Sequence, residues 1–217
     1  MARVTRNPPG YHHGNLRTAL IEAAMDTARL KGVGALGLRE LTRTVGVSPN
    51  AAYRHFADLR ALVLTVALEA RHRLAHAILH RLTEATAGAD AREVAGRRLR
   101  AFGLAYADFA VATPGWYELT CASQEAPPDE NVPAAGDDPP PPPHLILLGI
   151  LDDMVESGAM RPDRRPDAEW ACWSAVHGFA ELCVHGPLQG LPPDEAARLA
   201  GQVMDNLVLG LTADPTR

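Results

Sequence analysis

The spacing of apolar residues along the chain predicts helices. Between residues 15 and 31, Leu16, Ala19, Leu20, Ala23, Ala24, Thr27 and Leu30 recur at steps of three and four, the stripe of an amphipathic helix. Asn15 can cap its start, and Lys31-Gly32 ends it with a cation and a glycine. Similar reasoning predicts helices over 38–45, 49–56, 59–87, 91–113, 116–121, 144–157, 167–185 and 193–210. Gly46, Gly88, Thr113-Pro114-Gly115, Ser157-Gly158, Gly186-Pro187 and Gly210 punctuate them. No segment of useful length alternates apolar with polar as a half-buried strand does. The expected fold is all-α, with about nine helices and no internal repeat. Two segments fall outside the pattern. Residues 1–10 are polar, end in Pro-Pro-Gly and read as a disordered arm. Residues 126–143 hold eight prolines, five of them consecutive, together with Asp129, Glu130, Asp137 and Asp138. They read as an exposed acidic loop with polyproline II character at its end.

The stretch from Leu38 to Phe56 carries more than periodicity. A helix-turn-helix needs apolar inner faces on two short helices, a residue tolerant of a tight turn between them, and a second helix free to enter a groove. Leu38, Leu41 and Val45 fall on one face, Gly46 supplies the turn, Val47 plugs the corner, and Ala51 or Ala52 permits close approach before Phe56 closes the core. Pro49, Asn50, Tyr53, Arg54 and His55 are left pointing outward. Tyr and His suit phosphates, and Arg and Asn suit base edges. An ordinary αα-hairpin with a polar outer face would share the periodicity. Three domains are expected: an arm at 1–10, a helix-turn-helix domain at 11–60 and a helical body at 61–217 that contains the loop at 126–143.

Charge sharpens this division. The chain carries a net -5, which taken whole argues against a nucleic-acid partner. Residues 1–60, however, hold nine of the 21 Lys+Arg and four of the 26 Asp+Glu, a net +5, which leaves -10 on the remainder. A basic head on an acidic body lets one end alone approach phosphates, although chance clustering would give the same sum. With 47% apolar residues the chain can bury a sizeable core, yet no apolar run is long enough to span a bilayer. The N-terminus has no apolar segment of signal-peptide type. Cys121, Cys172 and Cys183 form no C-x-x-C pair, which argues against a disulfide framework or structural zinc and suits a reducing cytoplasm. No G-x-S-x-G, glycine-rich phosphate loop or paired carboxylates in a defined context suggest an enzyme.

The stretches Tyr11-His12-His13-Gly14-Asn15-Leu16-Arg17, Leu38-Arg39-Glu40-Leu41, Gly46-Val47-Ser48 and Ala52-Tyr53-Arg54-His55-Phe56 resemble the TetR family of transcriptional regulators. Trp173-Ser174-Ala175-Val176-His177-Gly178 resembles the Trp-His-Gly motif of one subgroup's ligand-binding domain. The resemblance implies that Arg39, Thr42, Ser48, Asn50, Ala51, Tyr53, Arg54 and His55 face DNA. It also implies a homodimer built on the last two long helices, a pocket in the body and an effector that controls the spacing of two heads. Leu59 stands where the family usually has a lysine, and Arg60 from the next position is expected to take over that phosphate contact. Thr42 replaces a usual alanine.

Further residues are singled out for ligand, metal and partner. Phe102, Tyr106 and Phe109 share one face of the fifth helix and Trp116 and Tyr117 follow it; with Trp173 and His177 they are assigned to a pocket. Aromatic stripes are also ordinary core. Trp173, Val184, Ala197, Gly201, Met204 and Val208 are assigned to the dimer surface, because small and apolar residues let helices pack closely. His72, His76 and His80, and again His177, Glu181 and His185, recur every four residues, a spacing that can chelate a metal or simply form a polar stripe. No metal and no cofactor is assigned. The preferred reading is a ligand-responsive repressor that binds a palindromic double-stranded DNA operator as a homodimer, in the cytoplasm and with no membrane partner. The alternatives are an all-α enzyme or metal-dependent binding protein with structural N-terminal helices, and a regulator without a ligand.

Overall fold

The structure, a computed structural model, describes residues 16–85, 90–122 and 139–213, and every regular element among them is helical. The expected arm, the Asn15 cap, the Gly88 break and positions 126–138 of the proline-rich loop lie outside these residues. The N-terminal elements are α1 (Leu16–Lys31), α2 (Leu38–Val45), α3 (Pro49–Ala52) and the long α4 (Leu59–Glu84). The body adds α5 (Ala91–Ala112), α6 (Pro114–Ala122), α7 (Pro143–Glu156), α8 (Ala168–Val184) and α9 (Pro193–Thr212). The all-α architecture with an N-terminal helix-turn-helix is therefore as expected. Short 3₁₀ turns at Val33–Ala35 and Pro162–Arg164 were not foreseen, since three residues carry no periodic stripe.

Local chemistry explains most boundaries. Asp58 Oδ1 accepts from the Ala61 amide at 2.7 Å and starts α4; Asp90 Oδ1 accepts from Glu93 at 2.9 Å and starts α5. Ser48 occupies the N-cap position of α3 but makes no side-chain capping bond. α6 begins at Pro114, before the expected position, because proline at the first helical turn sacrifices no hydrogen bond. α9 runs through Gly210 to Thr212: an interior glycine costs only about 1 kcal/mol, and Leu211 beyond it packs on the body core. The second helix of the helix-turn-helix is shorter than expected. α3 ends at Ala52, and Tyr53, Arg54 and His55 continue as turns.

Two cores organise the chain. Leu20, Met25, Leu41, Ala52, Phe56 and Leu62 form the centre of the head cluster, which Leu119 of α6 joins. In the body, α5 is buried at seven consecutive positions, Ala101, Phe102, Gly103, Leu104, Ala105, Tyr106 and Ala107. A helix apolar on all sides must lie at the centre, and α4, α7, α8 and α9 pack around it.

Part of the surface expected to meet a second copy is packed within the chain. Met204 is 2% exposed and lies so close over α5 that a Cβ on Gly103 would meet its Sδ at 2.1 Å. Gly201 is buried beside the Arg100 guanidinium, Val184 is buried in the body core, and Val208 is half-buried beside Gly96. Ala197 is half-buried, and Trp173, also half-buried, lines a cavity of the body. Helical periodicity identifies an apolar face, but not whether the chain itself covers it. The outward stripe of α8 is Ala171, Ser174, Gly178 and Leu182, all exposed.

Candidate functional site

At the tip of the head, Gly46 takes a left-handed conformation (φ 78°, ψ 29°), and its amide and that of Val47 return to the last turn of α2 at 3.2 and 2.9 Å. A Cβ would make that conformation costly. The turn sets α3 against α2 through Leu41 and Ala52, both fully buried. It leaves Ser48, Asn50, Tyr53, Arg54 and His55 exposed in one short stretch, with Tyr53 at 55% exposure despite its size. Arg39 and Arg60 are exposed nearby in sequence, and Ala51 is half-buried. Arg43 is tied to Glu40 at 2.7 Å. Thr42 is a correction. It is 1% exposed, and its hydroxyl donates to the Arg39 carbonyl at 3.0 Å, so it supports α2 from inside and is not offered to DNA.

In the body, a cavity of about 470 Å³ opens between α4, α5, α6, α7 and α8, within the usual range of small-molecule sites, roughly 300–1,000 Å³. Leu74, Tyr106, Leu147, Leu148, Trp170 and Trp173 supply most of its wall, and Arg71, Thr120, His144 and Glu169 its polar groups. Of the expected pocket residues, only Tyr106 and Trp173 line it. Phe102 is fully buried core, Phe109 packs at a tilt against Trp116 with ring centres 6.2 Å apart, and Tyr117 and His177 are not among the lining residues. Sequence reasoning missed Arg71, because a lone arginine on a long helix carries no local signal.

A hydrogen-bonded network backs the cavity. The Tyr106 hydroxyl lies 3.0 Å from His177 Nδ1; the Tyr117 hydroxyl donates to Glu181 Oε1 at 2.8 Å and lies 3.2 Å from the same His177 nitrogen. His185 Nδ1 joins Glu181 Oε2 at 2.9 Å and its Nε2 joins Glu118 at 3.3 Å. Burial holds both phenols protonated well above the usual tyrosine range. Burial tends to raise the Glu181 pKa, but bonds from His185 and Tyr117 outweigh it and bring the carboxyl below its ordinary value. Among the described residues, one group could offer three metal ligands: Cys121, His177 and Glu181, with donor atoms within 4.8 Å of one another. Tyrosines and His185 already engage His177 Nδ1 and Glu181, and burial pushes the Cys121 thiol up, away from the thiolate a metal needs. His76 and His80 of the other histidine stripe are exposed, and His72 is half-buried.

α6 joins the two regions. On one side, the Trp116 indole donates to the Met25 carbonyl of α1 at 2.8 Å, Arg73 lies 4.6 Å over the same ring, and Leu119 completes the head core. A Cβ on Gly115 would lie 2.0 Å from the Ala28 carbonyl oxygen, so α1 and α6 meet backbone to backbone. On the other side, Thr120 lines the cavity and Tyr117 enters the network.

Comparison with known proteins agrees with this organisation. Residues 99–207, about half of the chain, match the model described as tetracyclin repressor-like, C-terminal domain, and residues 20–66 match bacterial regulatory proteins of the tetR family. The chain belongs to the TetR family. Among solved structures, a protein of unknown function from Rhodococcus sp. RHA1 is 30% identical; the match covers 95% of this chain and 100% of that one, with a TM-score of 0.73. A transcriptional regulator from the same Rhodococcus is 16% identical over 92% of this chain and 100% of that one, with a TM-score of 0.54. A single-substitution variant of TetR from Acinetobacter baumannii AYE, crystallised with minocycline, is 17% identical over 90% and 97%, with a TM-score of 0.52. The last two share the fold. No curated protein matches the sequence. As a TetR-family regulator the chain has a DNA-binding helix-turn-helix head and a helical C-terminal domain. Its Leu59 is half-buried against the head core, whereas Arg60 is exposed. None of the described helices is long and apolar enough to cross a membrane.

Proposed function

We propose that this TetR-family regulator is a ligand-responsive repressor that performs no catalysis and binds a palindromic operator as a homodimer in the cytoplasm. The observation that carries the reading is the exposed cluster Ser48, Asn50, Tyr53, Arg54 and His55, fixed on a buried local core. Arg39, Ala51 and Arg60 extend this surface. One such head covers too little DNA for tight specific binding, so two are needed. The exposed stripe Ala171, Ser174, Gly178 and Leu182 on α8, with the outer side of α9, is the surface for a two-fold four-helix contact. Trp173, His177 and Gly178 resemble the Trp-His-Gly subgroup, and the minocycline complex of a protein of this fold supports an effector in the body. A ligand that favours one setting of α6 shifts α1 and α4, and the operator is released if that setting holds the heads at the wrong spacing.

Two measurements test the reading. Selection of bound duplexes from a random pool is expected to enrich an inverted repeat, with affinity falling linearly in log-log form as salt rises. Gly178→Arg, at a position with nothing within 4 Å of an added Cβ, is expected to leave a folded monomer with much weaker DNA binding. Enrichment of no sequence, or a Gly178→Arg protein that stays dimeric in light scattering, would contradict it.

A further inference from the structure

Arg71 reaches the cavity from α4. It forms no ion pair or hydrogen bond among the described residues, although it is half-buried. Its neighbours in charge are committed elsewhere. Glu69, two residues earlier, is bound to Arg73 at 2.9 Å. Glu169, the one carboxylate among the described residues of the cavity wall, is bound to Arg165 at 3.0 Å, and Arg165 also holds Asp152 at 2.7 Å. Burial draws the Arg71 pKa below its ordinary range, and no carboxylate among the described residues is close enough to offset it.

A cation withdrawn from water without a counter-charge costs free energy that the rest of the fold must supply. A bound anion removes that cost. Guanidinium presents two parallel donors that match a carboxylate, and a single arginine balances a single negative charge better than a phosphate dianion. The remaining wall is apolar and aromatic, with Leu74, Leu147, Tyr106 and Trp173 facing the same space. We propose that this cavity binds a small organic monocarboxylate, its carboxylate paired with Arg71 and its aromatic or aliphatic body held between Trp173, Leu74 and Leu147. The proposal rests on the effector reading above and specifies the ligand's chemistry.

The test uses the full chain with four probes: 2-naphthoate, decanoate and the primary amide of each. Binding is followed by calorimetry and by fluorescence of Trp170 and Trp173, which line the cavity. At least one acid is expected to bind about tenfold or more tightly than its amide, since charge-assisted bonds are roughly twice as strong as neutral ones. Arg71→Gln is expected to reduce acid binding to the level of the amide and leave the amide unchanged; Arg71→Lys is expected to keep part of the preference. Circular dichroism checks that both variants are folded. Equal binding of acid and amide, an acid preference that survives Arg71→Gln, or no acid binding up to ~5 mM would overturn the proposal. An acid that binds as described but leaves DNA affinity unchanged supports the anion site and overturns the effector reading. An amide that binds as tightly as its acid and displaces DNA overturns the anion site and leaves the effector reading standing.

Discussion

The tip of the head and the cavity of the body hold their working side chains in opposite ways. At the tip, Ser48 to His55 come from one continuous stretch and point into solvent, supported from behind by Leu41, Ala52 and Phe56. In the cavity, Arg71, Tyr106, Thr120, Leu147 and Trp173 come from five helices spread over a hundred residues and point inward. A projecting surface depends on one turn and a few local contacts. An enclosing one depends on how the whole body packs, so substitutions far from it should change it. The seam made by α6 belongs to both regions, and breaking it tests whether they work as a unit.

The largest effect is expected at Gly115. The atom that an added Cβ would meet is backbone, the Ala28 carbonyl oxygen at 2.0 Å, and it cannot rotate away. Gly115→Ala should therefore cost about 3 kcal/mol, a fall in Tm of roughly 6–12 °C for a chain of this size. Thermal unfolding checks this, and an unchanged Tm would mean that the close approach of α1 and α6 is absent. Gly103→Ala should cost less, because it meets the flexible end of Met204.

A smaller loss is expected for Trp116→Phe. It keeps an aromatic ring under Arg73 and removes only the indole bond to the Met25 carbonyl, worth about 1 kcal/mol. If α6 carries the signal, this variant should respond less to effector while retaining DNA affinity. A proportional loss of both would make Trp116 a stability residue only.

The smallest effect concerns pH. The hydrogen bond with Glu181, together with the one with Glu118, raises the pKa of His185 above its ordinary value. The folded chain holds this proton more tightly than the unfolded one. Its contribution is therefore complete below about pH 6.5 and is lost as the pH rises through the folded value. Because the side chains of His185, Glu181 and Glu118 are 35–50% exposed, screening keeps the contribution small. Between pH 6 and pH 8.5 the wild type should lose slightly more Tm than His185→Gln. Parallel pH profiles would show that the pair adds nothing.

How much was legible follows the same division. The helix-turn-helix could be read because Gly46, Ala52 and Phe56 do their work within a few residues of the surface they support. Arg39, Asn50, Tyr53, Arg54, His55 and Arg60 are exposed as expected, and Thr42 is not, because four residues after Leu38 it falls on the same inner stripe as Leu38, Leu41 and Val45. The residues assigned to a pocket divide because an aromatic stripe on α5 looks the same in a core as in a cavity wall: Phe102 and Phe109 lie in the core and Tyr106 in the wall. Gly201 and Met204, assigned to the partner surface, are buried because α9 packs on α5 through them. Lone residues that depend on tertiary placement, Arg71 above all, left no trace in the pattern.

The most direct test of the whole account is an anisotropy titration of the selected duplex with wild type and Arg54→Ala at matched salt. The Arg54 side chain is exposed and forms no hydrogen bond or ion pair among the described residues, so its loss should leave stability within about 0.5 kcal/mol of wild type. Its loss should weaken specific binding by about tenfold or more, as removal of a base- or phosphate-pairing arginine does. Equal affinity of the two proteins for that duplex, with both folded, would contradict the assignment of this surface as the one that reads DNA.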